Sequence, residues 1–247
     1  MKEILKRLWL NMKNLWDKSN RVKNVNIYDF DGTIYNGDSC KDIVIYGLLH
    51  YPSIVLKSLK KARLLNKKGY ISFEEVKETL LSFIYKINNY PKFINNFVDS
   101  HMKKIKPFYL SRKSEADVIV TASYDLWIKQ FAKRLGIKHV IATNTDSNGK
   151  IIGKNCKGEE KVKRIKELYS DSEILCAYGD SSKDIPVLKL AKTAYVVEGN
   201  KLFTYKKDYK FKNNKWYVNK KRLTYLFIYS NIIEWRKETY KWQLKLD

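Results

Sequence analysis

The chain has 247 residues, 44% of them hydrophobic, and sets 49 lysines and arginines against 26 acidic residues for a formal charge of +23. That length and apolar content can bury a large core, as one domain or a domain with an insertion, and no apolar run approaches the roughly 18 residues a membrane-spanning helix needs. Three cysteines with no CxxC pair exclude a disulfide framework; Lys6, Arg7, Asn11 and Lys13 interrupt the early apolar residues as no secretory leader would, so a cytoplasmic protein is expected. The positive charge favours polyanions in general, whether nucleic acid, an anionic membrane surface or phosphorylated small molecules. Lysine is nevertheless spread along most of the chain, densest after residue 200, and serves equally well as a solvated surface.

In chain order, residues 2–18 predict an amphipathic helix with Ile4, Leu5, Leu8, Trp9, Met12, Leu15 and Trp16 on one stripe. Residues 25–30 (VNIYDF) predict a first strand. From about 40 to 110 the pattern is helical, with breaks near Pro52, Lys68-Gly69, Pro91 and Pro107, and Ser72 with Glu75 forms a capping box for a helix reaching about Lys86. An α/β rhythm follows: a strand over 117–121, a helix over 125–135 ended by Gly136, and a strand over 139–142. An Asn148-Gly149 turn then leads into a β segment (GKIIG), and a helix over 159–169 precedes a strand over 173–178. Alternation of this kind predicts a parallel sheet, and the helical stretch between the first two strands reads as an insertion. Residues 201–247 are basic and aromatic, with a last helix expected around 230–243.

Four separated elements carry chemistry. Asp29-Phe-Asp-Gly-Thr33 puts two carboxylates, Asp29 and Asp31, two residues apart at the end of a strand. Such strand ends are where open α/β sheets bind ligands, and paired carboxylates can divide nucleophilic attack from proton transfer. VIVTAS places Thr121 at a second strand end with Ser123 nearby, as a phosphate donor or a helix cap. NCKGEEKVKRI offers Lys161 at a helix start, with Lys157 as the second candidate. YGDSSKD supplies Asp180 and Asp184 after a further strand. No histidine shows metal-ligand spacing, and no nucleic-acid-binding motif is present, which disfavours a nucleic-acid partner.

In this order the four elements resemble the haloacid dehalogenase superfamily of phosphatases, in particular the subgroup typified by phosphoserine phosphatase, over roughly residues 25–200. The resemblance implies a Rossmann-like parallel α/β core with an inserted all-helical cap: core at 25–37 and 111–200, cap at 38–110, an N-terminal helix at 1–24 and an extension at 201–247. It also implies an Mg²⁺-dependent phosphatase acting through an aspartyl-phosphate. Asp29 would be the nucleophile and Asp31 the general acid and base. Asp29, Asp180 and the Asp31 backbone carbonyl would hold the metal, with Asp184 close behind. Thr121, Lys161 and Gly32 would contact the phosphoryl oxygens. A carboxylate is a weak nucleophile that a phosphate dianion repels, and a metal and a lysine cancel that repulsion.

The cap should select the leaving group. Asp38 stands where the subgroup binds a substrate amine, but FEEVKETL offers Lys77 where the subgroup has an arginine for the substrate carboxylate. A lysine replaces a bidentate arginine poorly, which argues against phosphoserine. The two amphipathic, tryptophan-bearing ends motivate an alternative substrate, a membrane lipid phosphate of the phosphatidylglycerophosphate kind, with the protein peripheral to the inner face of a membrane.

Overall fold

The computed structural model describes residues 23–68 and 72–211. The expected helices at 2–18 and 230–243 lie outside them, and with them the segments on which a membrane-bound reading depends. No helix among the described residues is long and apolar enough to cross a membrane.

Six strands form one sheet in the order β3-β2-β1-β4-β5-β6. Strand β1 (Asn24–Tyr28) is central and pairs in parallel with β2 (Asp117–Tyr124) and β4 (Glu173–Gly179). Strand β3 (His139–Thr143) extends the sheet beyond β2 in parallel, and β5 (Thr193–Glu198) beyond β4. The chain thus fills one side of β1 before crossing to the other, so the strand order reverses between β1 and β4. That reversal opens a crevice at their carboxyl ends.

Strand β6 (Lys201–Thr204) turns back antiparallel on β5. The sheet therefore runs past residue 200, where the sequence placed the start of the extension. The expected strand at GKIIG does not form. Only an isolated bridge joins Thr145 to Ile151, because the Asp146 carboxylate takes the amides of Asn148 and Lys150 and folds the segment into a tight loop.

Side chains alternate across the sheet with period two. Val25, Ile27, Val118, Val120 and Ala177 face α7 (Glu159–Leu168) and the short α8 (Ile185–Leu188). Tyr28, Ile119 and Tyr178 face the other way, toward α6 (Asp125–Leu135) and the helical insertion. Tyr28 stacks on Tyr178 with centroids 4.2 Å apart, and Tyr178 on Tyr195 at 5.0 Å.

The insertion between β1 and β2 contains α1 (Ser39–His50), α2 (Pro52–Lys68), α3 (Phe73–Leu81), α4 (Tyr90–His101) and α5 (Pro107–Leu110). Each proline opens a helix instead of interrupting one, as its missing N–H allows. Helix α3 has the expected capping box at Ser72 and Glu75 but stops at Leu81 rather than near Lys86. There the Ser82 hydroxyl bonds the Thr79 carbonyl, and a single 3₁₀ turn follows at 84–86. The insertion shares one hydrophobic cluster with the sheet: Phe97 of α4 meets Phe131 of α6 edge-on at 6.1 Å, and Arg134 of α6 pairs with Asp99 at 2.5 Å.

Candidate active site

Two strand ends, the turn after β4 and one helix start converge on the crevice between β1 and β4. Asp29 is the first residue past β1, and its amide still joins the sheet through the Tyr178 carbonyl at 3.0 Å. Asp180 follows β4 directly, and Asp184 closes the next turn, capped back onto Ser181. Lys161 lies in the first turn of α7 and is 4% exposed. Its ammonium spans the crevice, 2.6 Å from the Asp29 carboxylate and 2.8 Å from Asp184. The competing candidate Lys157 lies outside this ion pair, its ammonium over the Phe73 ring at 5.4 Å.

The charges are unbalanced. Carboxylate oxygens of Asp29, Asp180 and Asp184 lie within 4.8 Å of one another. Burial pushes the Asp29 carboxyl well above the usual range; the Lys161 ammonium opposes this, and Asp184 and Asp180 reinforce it. Burial and then Asp184 push Asp180 up to about 7. Burial works against the charge on Lys161, but Asp184 and Asp29 more than offset it and hold its proton more tightly than in water. A cluster of hard oxygen donors with surplus negative charge fits a divalent cation such as Mg²⁺. Gly32 makes room for the Asp180 carboxylate: at φ 81° it takes a backbone conformation open to glycine, and a Cβ there would overlap that carboxylate.

Asp31 belongs to a separate environment. Its carboxylate turns away from the cluster and accepts from the Ser39 amide at 2.5 Å and the Ser123 hydroxyl at 2.5 Å. Burial, then the charge of Asp38, pushes it up to about 6, while the Ser123 and Ser39 hydrogen bonds pull it down. Ser123 makes no cap hydrogen bond to the helix that follows; its hydroxyl donates to Asp31. Behind it the Trp127 indole donates to the Ser39 hydroxyl at 3.0 Å. Ser39, which sequence reasoning missed, is recognisable only as the first residue after an N-cap.

The other expected residues have partners within the protein. Thr121 is buried within the second half of β2, its hydroxyl accepting from the Ser123 amide at 3.1 Å. The Gly32 amide, expected near phosphate, donates to the Tyr35 carbonyl at 2.9 Å. Asp38 caps α1 by accepting from the Lys41 amide at 2.9 Å. Lys77 reaches from α3 to the Ala122 carbonyl at 2.7 Å and Asn155 at 3.2 Å. With Glu78 on the Ile151 amide (2.7 Å) and Tyr85 on Thr145 (3.1 Å), it ties α3 and the turn after it to the loop following β3. A recess of about 400 Å³ lies behind this wall, lined by Ser72, Glu78, Ile151 and Lys157 among others, and none of the site carboxylates borders it. A second buried lysine, Lys106, donates to the Gly32 carbonyl. The sequence signal for it was slight: a lone cation between Ile105 and Pro107.

Comparison with known proteins agrees with this fold. Protein CicA of Caulobacter vibrioides is 41% identical over 81 residues, which is 30% of this chain and 36% of that protein, so the match spans about a third of the curated relative. A protein of unknown function from Bordetella pertussis Tohama I shares the fold with a TM-score of 0.57 at 17% identity, covering 70% of this chain and 89% of that one. A probable phosphoserine phosphatase from Vibrio cholerae does so with a TM-score of 0.50 at 13% identity, over 70% of this chain and 55% of its own. The model of the haloacid dehalogenase-like hydrolases matches residues 27–189, from β1 through α8, and the chain belongs to that family.

Proposed function

We propose that the protein is a phosphatase that hydrolyses a phosphomonoester through an aspartyl-phosphate on Asp29. The observation that carries this reading is the division of labour between two carboxylates of one loop. Asp29 sits in the cation-seeking cluster against Lys161, whereas Asp31 is held apart by Ser39 and Ser123. Environments that separate two neighbouring carboxyls suit one to attack and the other to carry protons.

Mg²⁺, held by Asp29, Asp180 and Asp184, would neutralise the approaching phosphate and stabilise charge on the transferring group. The chain's own residues do the rest. Lys161 keeps Asp29 oriented and offers its ammonium to a phosphoryl oxygen as the carboxylate attacks phosphorus. The P–O bond to the leaving group breaks, and Asp31, pushed up to about 6, protonates the departing alkoxide. Asp31 then takes a proton from the water that cleaves the acyl phosphate, which regenerates Asp29. Ser39 and Ser123 fix the Asp31 carboxylate for both steps.

The substrate is a phosphorylated small molecule, and phosphoserine fits the site poorly. Lys77 is engaged with backbone and Asn155, and Asp38 caps a helix, so neither position reproduces an amino-acid clamp. The test is phosphate release from a panel of sugar phosphates, nucleotides, phosphoserine and micellar lipid phosphate, with and without Mg²⁺, for wild type and Asp29→Asn. Release that requires Mg²⁺ and falls roughly a thousandfold or more in the variant is expected. Equal release by both proteins would refute the assignment of the nucleophile.

A further inference from the structure

The insertion leaves and re-enters the core along two segments that pair with each other. The Asn36 amide donates to the Lys104 carbonyl at 2.8 Å, the Lys106 amide to the Ile34 carbonyl at 2.9 Å, and Tyr35 faces Ile105 in an antiparallel bridge. Asp42 locks the outer side, accepting from the Tyr35 hydroxyl at 2.7 Å and pairing with Lys104 at 2.5 Å. This register sends the next side chain, Lys106, inward. It is 4% exposed, and its ammonium contacts the carbonyl of Gly32. Lysine normally extends its charge to water, and burying an ammonium is costly unless opposite charges offset the loss. Burial holds the Lys106 ammonium below its ordinary pKa, and Asp180 and Asp29, the carboxylates of the crevice, oppose that loss in part.

A count of charges shows what this lysine does. With a divalent cation bound, the ionised carboxylates of Asp29, Asp180 and Asp184 contribute three negative charges, and protonated Lys161 and Lys106 return two. A divalent cation then makes the site net positive before a phosphate dianion arrives. With Lys106 neutralised, the same loaded site would carry no net charge. An ammonium beside the cluster therefore weakens cation binding and strengthens attraction of the dianion, since both act through the same field.

Building on the phosphatase reading, we infer that Lys106 is a second cationic positioning residue of the active site. Supplied by the returning segment of the helical insertion, it holds the Gly32 carbonyl and sets the charge of the carboxylate cluster, trading Mg²⁺ affinity for substrate turnover.

The experiment pairs calorimetric titration of Mg²⁺ into the full-length protein with phosphate release from p-nitrophenyl phosphate, for wild type, Lys106→Met and Lys106→Arg. In Lys106→Met the Mg²⁺ dissociation constant should fall roughly tenfold, as loss of a nearby positive charge requires. Its kcat/KM should fall roughly tenfold to a hundredfold. Lys106→Arg keeps the charge and should keep wild-type Mg²⁺ affinity. A purely structural role would weaken Mg²⁺ binding and turnover together; that result, or an unchanged Mg²⁺ affinity in Lys106→Met, overturns the inference. If Lys106→Met does not fold, Lys106→Gln removes the charge while leaving a donor for Gly32 and is judged by the same criteria. Failure of both to fold also overturns it. Tighter Mg²⁺ binding in Lys106→Met, with a wild type inactive on every ester, would sink the phosphatase reading and leave Lys106 in place. An active wild type with both constants unmoved in Lys106→Met would do the reverse.

Discussion

Asp117 and Asp29 stand at opposite edges of the same sheet, one opening β2 and the other just past the end of β1, and both carboxylates are shielded from water. Asp117 is surrounded by neutral donors: Asn26 at 3.2 Å, the Ser114 amide and hydroxyl at 2.9 Å each, and the Tyr109 hydroxyl at 3.2 Å. Asp29 instead shares one ammonium with Asp184 and crowds against Asp180. Burial alone does not mark a functional acid. A carboxylate whose lone pairs are filled by neutral groups holds the fold together. A cluster left with surplus charge waits for something to bind.

Replacing the cation tests this contrast most severely. Lys161→Met leaves buried carboxylates without the ammonium that touches them, and should cost roughly 3–5 kcal/mol in urea unfolding of the Mg²⁺-free protein. Adding Asp29→Asn should recover much of that loss, because a like charge disappears; no recovery would mean that Lys161 stabilises by packing. Phosphate release should vanish in either variant.

At the opposite edge, Asp117→Ala strands the donors of Tyr109, Asn26 and Ser114. Destabilisation of about 1–3 kcal/mol is expected, with kcat of the folded protein unchanged. A drop in kcat at full folding would erase the distinction between the two edges. The smallest effect belongs to the wall. Lys77→Met removes the half-buried hydrogen bonds from α3 to Ala122 and Asn155 and should lower the free energy of urea unfolding by at most about 1 kcal/mol. It should raise KM rather than lower kcat. A selective loss of kcat would place Lys77 with the carboxylates instead.

Legibility in the sequence followed the range of each interaction. The DFDGT loop, the strand before Asp180 and the first turn of α7 are local patterns, and their periodicity and turn residues disclosed them. The carboxylate cluster followed because strand ends in a parallel sheet share one edge. Lys106 was hidden because its partner, Gly32, lies 74 residues away. Its inward direction depends on the pairing of Tyr35 with Ile105, which no local pattern announces. The bond from Ser123 to Asp31 was hidden for the same reason, since the two are 92 residues apart. Strand β6 was missed because Lys-rich edge sequence lacks the apolar alternation of a buried strand; its residues are mostly exposed.

The paired crossing at Tyr35 and Ile105 also bears on how such a protein can change over evolutionary time. The core's own backbone hydrogen bonds bring the two ends of the inserted segment together, so closing that loop costs an entropy that grows only with the logarithm of its length. Each doubling adds about 0.6 kcal/mol. An insertion anchored in this way can lengthen, shorten or be replaced at little thermodynamic penalty to the sheet beneath it. Whatever replaces it must still return through the residue that reaches Gly32, so new substrate walls can be tried while the chemistry below them is kept.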